Sequence, residues 1–357
     1  MAKLIDASEA ADDISIQEAA TALMAGELVV FPTETVYGLG AIVSNEDALR
    51  HIYRAKGRPS DNPLIIHVSD EEMFFQYAKD SEAASILINH FCPGPLTLVV
   101  PARDSLSRVI TAGLDTVAIR IPCHPLAQDL IRATGEAIAA PSANRSGRPS
   151  ATRASDAFED LENDIAYCID GGPSEVGLES TIVDLSVEPF QILRPGYYTA
   201  ETLNLVFKRL GKYPKFQVVE APIQEMAKQQ GPKAPGMKYR HYAPETEVLI
   251  IEGSSLEKRI SDFSKKCADL DPSDSIAAFV SSELASQLEA RGLLDSVELI
   301  QFSSPVDASH RLFAVLRDFD QPNTRRILVE SLDGDTIEIA YMNRLRKAAS
   351  SKQEALK

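Results

Sequence analysis

The chain is poor in cysteine and in positive charge, and it contains no long apolar run. Its four cysteines, Cys92, Cys123, Cys168 and Cys267, are scattered and form no close pair. This spacing predicts free thiols in a reducing compartment and argues against a metal-binding or redox motif. No stretch is apolar for long enough to cross a bilayer, and the N-terminus turns acidic after a single lysine, unlike a secretory signal. We therefore expect a cytoplasmic protein without a membrane partner.

The deficit of positive charge restricts the class of binding partner. The chain has 36 lysines and arginines against 52 acidic residues, for a net charge of −16. This balance argues against general nucleic-acid binding by bulk electrostatics. Residues 231–244 depart from it, because they include Lys233, Lys238 and Arg240 and no acid. Such a segment fits either a local anionic partner or a solvated linker, and charge alone leaves both open.

The length of the chain and the order of its predicted helices and strands indicate two domains. A chain of 357 residues is long for a single core. Residues 1–220 are predicted to form an α/β domain of mixed helices and strands. Strands and helices alternate regularly in residues 245–357, which indicates a smaller parallel sheet. Residues 221–244 hold four prolines without periodicity, so we expect an interdomain linker there. Its aromatic residues favour a linker that folds onto another part of the protein.

The segment Lys56-Gly57-Arg58 combines features that an anion-binding site needs. Two cations flank a glycine at the predicted end of a helix, and a proline-bounded loop then leads into a short apolar strand that ends at His67. Backbone N–H groups and fixed positive charge can approach a phosphate together at such a place. The alternative, on these residues alone, is a basic helix C-terminus followed by a surface turn.

Other segments place hydroxyl groups, glycines or cations at predicted strand ends. Thr33–Gly40 follows a strand and offers small donors and close backbone approach. Arg120 interrupts an apolar strand, where a guanidinium is costly unless an anion or a carboxylate meets it. The loop Pro141–Ser150 carries three serines, an asparagine and two arginines, and Ser180 and Arg194 lie at the ends of two later strands. Each segment also fits an ordinary turn or loop.

Together these segments resemble the YrdC-like family, and within it the long, two-domain threonylcarbamoyl-AMP synthases. The matching sequences, in chain order, are Pro32–Leu39, Lys56–Pro59, Asn62–Leu64, Pro93–Pro95, Arg120–Pro122, Pro141–Asn144, Glu179–Ile182, Arg194–Gly196 and the linker Pro235–Pro244. The resemblance is strong from Ser15 to Pro244. The C-terminal part matches in position and α/β character only.

The resemblance implies a fold and an activity. The fold would be α/β, with an N-terminal YrdC-like domain whose twisted mixed sheet forms a basic concave pocket, followed by a smaller C-terminal Rossmann-like parallel α/β domain. The activity would be synthesis of L-threonylcarbamoyladenylate from L-threonine, bicarbonate and ATP, with release of pyrophosphate, for t6A37 modification of tRNA. Mg²⁺ would be held mainly by the ATP phosphates. The product would pass to the machinery that transfers the threonylcarbamoyl group to tRNA.

The resemblance also implies roles for individual residues. Lys56 and Arg58 would be the catalytic cations. The threonine pocket would be formed by Thr35, His67, Arg120, Ala140 and Ser180. The ATP contacts would be Arg58, Asn62, Thr116, Ser142, Asn144, Ser150, Arg194 and His241. No metal ligand of the protein is implied, and the linker would close over the pocket and exclude water.

Two other functions compete with this interpretation. The first is a module that binds double-stranded RNA or tRNA without turnover, which predicts steep salt dependence; weak RNA binding beside catalysis is a related expectation. The second is an enzyme that uses carbamoyl phosphate, as in larger proteins that carry a similar domain. Those proteins add zinc-finger-like and acyl-phosphatase regions, which the cysteine spacing here does not support.

Overall fold

The computed structural model describes residues 2–7, 13–221, 242–268 and 275–349. These residues form two compact units, one within Met1–Ser146 and Ser150–Lys238 and the other within Gly147–Pro149 and Tyr239–Lys357. Most of the predicted linker, residues 222–241, lies outside the described residues, and so does the predicted ATP contact His241. No helix in the described ranges is both long and apolar enough to cross a membrane.

The first unit is built on a large mixed sheet flanked by helices. Its described strands are β1 (Lys3–Asp6), β2 (Val29–Phe31), β3 (Gly38–Ile42), β4 (Ile65–His67), β5 (Leu96–Pro101), β6 (Thr116–Arg120), β7 (Ile138–Ala139), β8 (Tyr167–Asp170), β9 (Thr181–Asp184), β10 (Phe190–Arg194) and β11 (Val218–Glu220). Its described helices are α1 (Asp13–Met24), α2 (Glu46–Lys56), α3 (Glu71–Tyr77), α4 (Glu82–Phe91), α5 (Arg108–Thr111), α6 (Pro125–Thr134), α7 (Ala154–Leu161) and α8 (Ala200–Arg209).

The strand order places distant parts of the chain side by side. The order is β1-β8-β2-β3-β7-β4-β6-β5-β9-β10-β11. Strands β4 and β6 are parallel, as are β5 and β9, whereas β5 and β6 are antiparallel and so are β9 and β10. The predicted mixed-sheet α/β fold of this unit is confirmed.

Alternation along the strands separates two faces of this sheet. One face carries the main hydrophobic core, which includes Ile66, Leu98, Ile119 and Val183. The opposite face carries a small apolar cluster, formed by Ile65, Val99, Ala118, Ile182 and Leu193. Because successive side chains point to opposite faces, residues two positions from the members of the small apolar cluster share its face. These residues are His67, Thr97, Arg120 and Ser180.

Local chemistry fixes where α2 begins and ends. The Asn45 side chain accepts a hydrogen bond from the Ala48 N–H at 3.1 Å, which caps the first turn. The helix ends at Gly57, whose φ of 60° lies in the left-handed region that glycine adopts without strain. The last turn therefore delivers Lys56 to the helix end, and Arg58 follows directly after the cap.

The second unit is a four-stranded parallel sheet with helices between the strands. Its described elements are β12 (Glu247–Ile251), α9 (Leu256–Cys267), β13 (Ser275–Ser281), α10 (Ser282–Ala290), β14 (Val297–Phe302), α11 (Pro305–Asp318), β15 (Thr324–Glu330) and α12 (Ile337–Ala349). The strand order is β12-β15-β13-β14, with every pairing parallel. The regular alternation in the sequence therefore predicts this sheet correctly.

Candidate functional site

A row of polar side chains crosses four neighbouring strands of the first unit. His67 on β4 is in register with Arg120 on β6, and Arg120 is in register with Thr97 on β5. Leu96, which precedes Thr97, pairs with Thr181 at the start of β9, so Ser180 lies at the same end of the sheet. The sheet thus brings together four residues that are far apart in the sequence.

Arg120 lies at the centre of this row and is almost completely buried, with 5% of its side chain exposed. Its Nη1 donates to the Thr35 hydroxyl at 2.7 Å, and its Nε donates to the Gly94 carbonyl at 3.4 Å. Its Nη2 lies 2.6 Å from Oε1 of Glu34, in an ion pair whose geometry does not give a hydrogen bond. Burial of Arg120 requires a nearby anion or carboxylate, and Glu34 is one such carboxylate within the protein itself.

The turn between β2 and β3 holds Thr35 and Glu34 in place. The Thr33 hydroxyl accepts from the N–H groups of Thr35 and Val36 at 3.2 and 3.3 Å and donates to the Val36 carbonyl at 2.6 Å. Thr33, Glu34 and Thr35 are all buried. Such local side-chain-to-backbone bonds fix a turn without help from the sheet. They hold the Thr35 hydroxyl and the Glu34 carboxylate against Arg120.

His67 is buried and electrically neutral near physiological pH. Burial, and after it the positive charge of Arg120, lowers the pKa of its imidazole to about 3. The ring packs edge-on to Phe31 with 6.0 Å between centroids. Its Nδ1 has no hydrogen-bond partner among the described residues. A neutral imidazole with an unused nitrogen beside a guanidinium suits hydrogen bonding to a bound polar ligand.

Arg194 joins the polar row through Ser180. Its Nε donates to the Ser180 carbonyl and its Nη2 to the Ser180 hydroxyl, each at 3.1 Å. That hydroxyl also bonds to the hydroxyl of Thr97 at 2.7 Å. A register shift between Ile192 and Arg194 places Arg194 opposite Ile182, a member of the small apolar cluster. This bulge turns Arg194 toward the face that carries the other site residues.

Lys56 ties α2 to the loop Pro141–Asn144. Its Nζ donates to the backbone carbonyls of Ser142 and Asn144, and its own carbonyl accepts from the Ser146 N–H at 2.8 Å. The Ser142 hydroxyl donates to Oδ1 of Asn144 at 2.5 Å. The ammonium therefore fixes the backbone of the loop that carries these two predicted ATP contacts.

Arg58 and Asn62 form a second cluster directly after α2. Nε of Arg58 donates to the Asn62 carbonyl at 3.2 Å, and Nη2 donates to the Pro63 carbonyl at 2.8 Å. The Tyr53 hydroxyl donates to the same Asn62 carbonyl at 3.2 Å. Asn62 is 1% exposed, and its side-chain oxygen has no hydrogen-bond partner in the described ranges. Side-chain hydrogen bonds therefore hold the backbone of this loop, which retains a buried acceptor, Asn62 Oδ1, without a partner among the described residues.

Three further predicted residues, Ala140, Ser150 and Thr116, differ in their position relative to the polar row. Ala140 is buried beside β4, where its N–H donates to the Ile65 carbonyl at 2.9 Å. The Ser150 hydroxyl donates to Oε1 of Glu179 at 2.7 Å, so a protein carboxylate already contacts it. Thr116 starts β6 opposite Pro101, at the other end of the strand from Arg120. Four residues along a strand span about 13 Å, so the sheet does not bring Thr116 into the polar row.

Buried polar atoms without a hydrogen-bond partner concentrate in this part of the first unit. Among the described residues, side-chain atoms of this kind are Glu34 Oε1, Asn62 Oδ1, His67 Nδ1, Thr111 Oγ1, Arg120 Nη2, Ser174 Oγ and Ser309 Oγ. Four of the seven belong to the Arg120 row or to the Arg58 cluster, and two of these, Glu34 Oε1 and Arg120 Nη2, face each other in the ion pair. Folded proteins satisfy nearly all buried polar groups. The other two, His67 Nδ1 and Asn62 Oδ1, are the buried atoms of this region that a ligand would complete.

The sequence argument does not predict every residue of this arrangement. Glu34 and Thr97 contact the predicted residues directly, yet neither is among the predicted site residues. Glu34 lies inside the matching sequence Pro32–Leu39, and Thr97 lies two residues after Pro93–Pro95. Closeness to these matching sequences is the signal that could have identified both residues. Within the described ranges, no group of three or more histidines, cysteines, aspartates and glutamates could hold a metal ion.

Comparison with known families and curated proteins decides the relationship. A family model described as "Telomere recombination", named for Sua5, YciO and YrdC, matches residues 21–196. A second model, "Threonylcarbamoyl-AMP synthase, C-terminal domain", matches residues 198–350. The threonylcarbamoyl-AMP synthase of Pyrococcus abyssi is 41% identical over 351 residues, covering 98% of both chains. The chain belongs to the threonylcarbamoyl-AMP synthase family.

Other relatives agree with this family membership. The threonylcarbamoyl-AMP synthase of Bacillus subtilis is 39% identical over 347 residues, or 96% of this chain and 94% of that one. The crystal structure of P. abyssi Sua5 complexed with L-threonine aligns with a TM-score of 0.84 at 38% identity, over 97% of both chains. Escherichia coli YciO, at 21% identity and a TM-score of 0.52, covers 57% of this chain and shares the fold alone. The predicted family and α/β fold class are confirmed.

Proposed function

We propose that this chain is a threonylcarbamoyl-AMP synthase. It converts L-threonine, bicarbonate and ATP into L-threonylcarbamoyladenylate, pyrophosphate and water, for t6A37 modification of tRNA. The observation that carries the proposal is the buried polar row around Arg120, with the unpaired ring nitrogen of His67, in a chain that belongs to this family. Family membership does not support the alternative of an RNA-binding module without turnover.

Threonine occupies the pocket around Arg120. Arg120 binds the substrate carboxylate, because a guanidinium can donate two parallel hydrogen bonds to a carboxylate. Its two described hydrogen bonds engage one donor on Nε and one on Nη1, and a guanidinium carries five N–H donors. His67 supplies a neutral ring nitrogen beside the same position. The other pocket residues in this proposal are Thr35, Ala140 and Ser180.

ATP occupies the neighbouring positions around the Arg58 cluster and the Pro141–Asn144 loop. Proposed contacts are Arg58, Asn62, Thr116, Ser142, Asn144, Ser150, Arg194 and His241. The position of Thr116 at the far end of β6 makes it the weakest member of this set. Lys56 and Arg58 are the proposed catalytic cations, which offset negative charge on the phosphates. Mg²⁺ accompanies the nucleotide and is held mainly by phosphate oxygens and water.

The chemistry requires alignment of substrates and charge compensation. The amine of threonine and bicarbonate give a carbamate with loss of water. One carbamate oxygen then forms a bond to the α-phosphorus of ATP, while the bond from that phosphorus to the bridging oxygen breaks and pyrophosphate leaves. Phosphoryl and nucleotidyl transfers of this kind depend on positioning and electrostatic stabilisation. Fixed cations and a rigid hydrogen-bonded loop provide both.

The product is a mixed anhydride that water destroys, so it requires rapid transfer to a consuming enzyme. The partner of this step is the machinery that transfers the threonylcarbamoyl group to tRNA, in the cytoplasm. Residues 1–220 form the catalytic domain in this proposal, residues 221–244 the linker, and residues 245–357 the C-terminal domain.

The function is tested by measuring pyrophosphate release from the full chain with ATP, Mg²⁺, bicarbonate and single amino acids. We expect release that depends on both L-threonine and bicarbonate, with threonylcarbamoyladenylate identified by mass spectrometry. Arg120→Gln should abolish it, whereas Arg209→Gln, at the end of α8, should leave it unchanged. Release that is independent of threonine would overturn the proposal. Turnover that requires carbamoyl phosphate would identify the competing enzyme class, and salt-sensitive RNA binding without turnover would identify the binding module.

A further inference from the structure

Glu34 is the one carboxylate in direct contact with the guanidinium of Arg120 among the described residues. The 2.6 Å approach of Oε1 to Nη2 joins two side chains that are 3% and 5% exposed. At such burial the pair is weakly screened, so the state of one partner strongly affects the other. The first unit therefore presents a paired charge, rather than a lone cation, where the amino acid is proposed to bind.

Glu34 is held both at its backbone and at its carboxylate. The Glu34 backbone carbonyl accepts from the Val176 N–H at 2.7 Å, and Oε2 accepts from the Cys123 N–H at 3.2 Å. Cys123 follows Arg120 by three residues, so the same segment carries the guanidinium and fixes its counter-charge. Oε1 has no hydrogen-bond partner among the described residues. The Glu34 carboxylate is thus anchored through Oε2 and presents Oε1 to Arg120.

Three titratable side chains near the pair are neutral. Burial raises the pKa of the Cys92 thiol to about 12 and that of the Cys123 thiol to about 11, which keeps both neutral. Burial also lowers the pKa of His67 to about 3, which keeps that ring neutral. The charge in direct contact with the Arg120 guanidinium is consequently that of Glu34, and the two charges sum to zero, while Arg194 lies at Ser180 on the side proposed for the nucleotide.

From this geometry we infer that Glu34 is a positioning residue that selects a zwitterionic amino acid. It fixes the guanidinium for the substrate carboxylate and balances its charge, while its second oxygen compensates the substrate ammonium. A zwitterion enters an electroneutral pair without leaving net buried charge. A monocarboxylate without an amino group leaves one uncompensated negative charge in a dry pocket, which is unfavourable. The inference rests on the proposed threonine pocket and adds to it the basis of selection for an α-amino acid.

The test compares L-threonine with 3-hydroxybutyrate, which is threonine without its amino group. For the full-length chain, the KM for threonine and the inhibition constant of 3-hydroxybutyrate are measured in the wild type and in Glu34→Gln, and binding of both ligands is measured by calorimetry. In Glu34→Gln we expect the threonine KM to rise about 10- to 100-fold, as for loss of a charged hydrogen-bonding partner. Inhibition by 3-hydroxybutyrate should become stronger, because its single negative charge then balances Arg120.

Two further variants separate selection from a general structural role. Glu34→Asp keeps the charge but shortens the side chain, so it should retain the preference for threonine over 3-hydroxybutyrate. Asp184→Asn removes another buried carboxylate of the same unit, at the far end of β9, and should leave the preference unchanged even where it lowers the unfolding temperature. If Glu34→Gln does not fold, the Glu34→Asp result decides, and loss of preference there overturns the inference.

The outcomes also distinguish this inference from the proposed function. If Glu34→Gln lowers the binding affinity for threonine and for 3-hydroxybutyrate equally, Glu34 has a structural role only, and the inference is overturned. Wild-type protein that binds threonine in preference to 3-hydroxybutyrate but releases no pyrophosphate would refute the synthase and leave the selection by Glu34 supported. Wild-type protein that binds neither ligand would refute both.

Discussion

Arg194 donates two hydrogen bonds to one residue, Ser180: Nε to its carbonyl and Nη2 to its hydroxyl, each at 3.1 Å. A planar guanidinium can make this pair of contacts from a fixed position, whereas an ammonium cannot. The contact joins the end of β10 to the residue before β9. It therefore holds Arg194, a proposed ATP contact, in a fixed position relative to Ser180, a proposed threonine contact.

Replacement of Arg194 by lysine should remove the paired hydrogen bonds to Ser180 while keeping the positive charge. We expect kcat/KM to fall about 10- to 100-fold, because a charge-assisted pair of hydrogen bonds is lost. The KM values for both ATP and threonine should rise, since Ser180 loses its support as well. Steady-state kinetics with Arg209→Lys, on the exposed end of α8, provides the matched control. A rise in the threonine KM alone would contradict direct contact of Arg194 with ATP.

Replacement of Lys56 by methionine should release the Pro141–Asn144 loop. The ammonium donates to the carbonyls of Ser142 and Asn144, and methionine leaves both acceptors without it. We expect at least about 100-fold lower turnover, from loss of a charged donor together with a misplaced loop. Arg54→Met, two residues earlier on the exposed side of α2, should retain turnover. Wild-type rates in Lys56→Met would remove Lys56 from the catalytic set.

The buried neutral His67 should make the protein sensitive to acid. Its folded pKa of about 3 lies below the ordinary value of 6.5, so the unfolded chain binds the proton more readily. Protonation therefore favours unfolding, and the free energy of unfolding falls as pH drops from 6.5 toward 3, by up to about 1.4 kcal/mol per pH unit. His67→Gln should flatten this slope in denaturant titrations at several pH values.

The control for this experiment is His90→Gln, an exposed position on α4. It leaves His67 in place and should keep the wild-type slope below pH 6.5. An acid slope that is the same in all three proteins would show that His67 does not control this dependence.

Addition of one methyl group at Gly196 should disturb the site through the backbone. A Cβ there would lie 2.3 Å from the Thr181 nitrogen and 2.7 Å from the Ser180 carbonyl carbon. Backbone atoms cannot rotate away, so we expect Gly196→Ala to lose about 1–3 kcal/mol of unfolding free energy and most of its turnover. Gly211→Ala, where a Cβ meets no atom within 4 Å but φ is +66°, should lose stability and retain turnover.

Local sequence patterns predict the helices and strands that carry the site, but they predict few of the side-chain contacts within it. Helix α2 is predictable because an N-cap asparagine, helical periodicity and a C-terminal glycine agree along one short segment. The edge strands β1 and β11 are not predicted, since each is short and is defined by pairing with a distant strand. The two glycines at the start of β3 predict a ligand loop from the sequence, and this prediction is wrong for Gly38–Gly40. This segment is a strand in which a Cβ at Gly40 would lie 2.9 Å from Ile138 Cγ2.

The contacts of Arg120 show why the rest of the site could not be predicted from residues alone. Its bond to Thr35 joins positions 85 residues apart, and the two meet only because β3, β7, β4 and β6 follow one another in the sheet. The orientation of Arg194 depends on a one-residue register shift in β10, which no hydrophobic pattern records. The resemblance to the family supplied these positions, and the ion pair with Glu34 appears only in three dimensions.

The strand order has a consequence for synthesis of the chain on the ribosome. The pocket needs the turn before β3 and the end of β10 at once, so it remains incomplete until residues 35–194 have all emerged. Helices such as α2 can form early, but pairing across such long separations is slow. A stalled or truncated chain that ends before Arg194 would expose the small apolar cluster and the buried guanidinium of Arg120 together, and would be a ready target for chaperones and proteases.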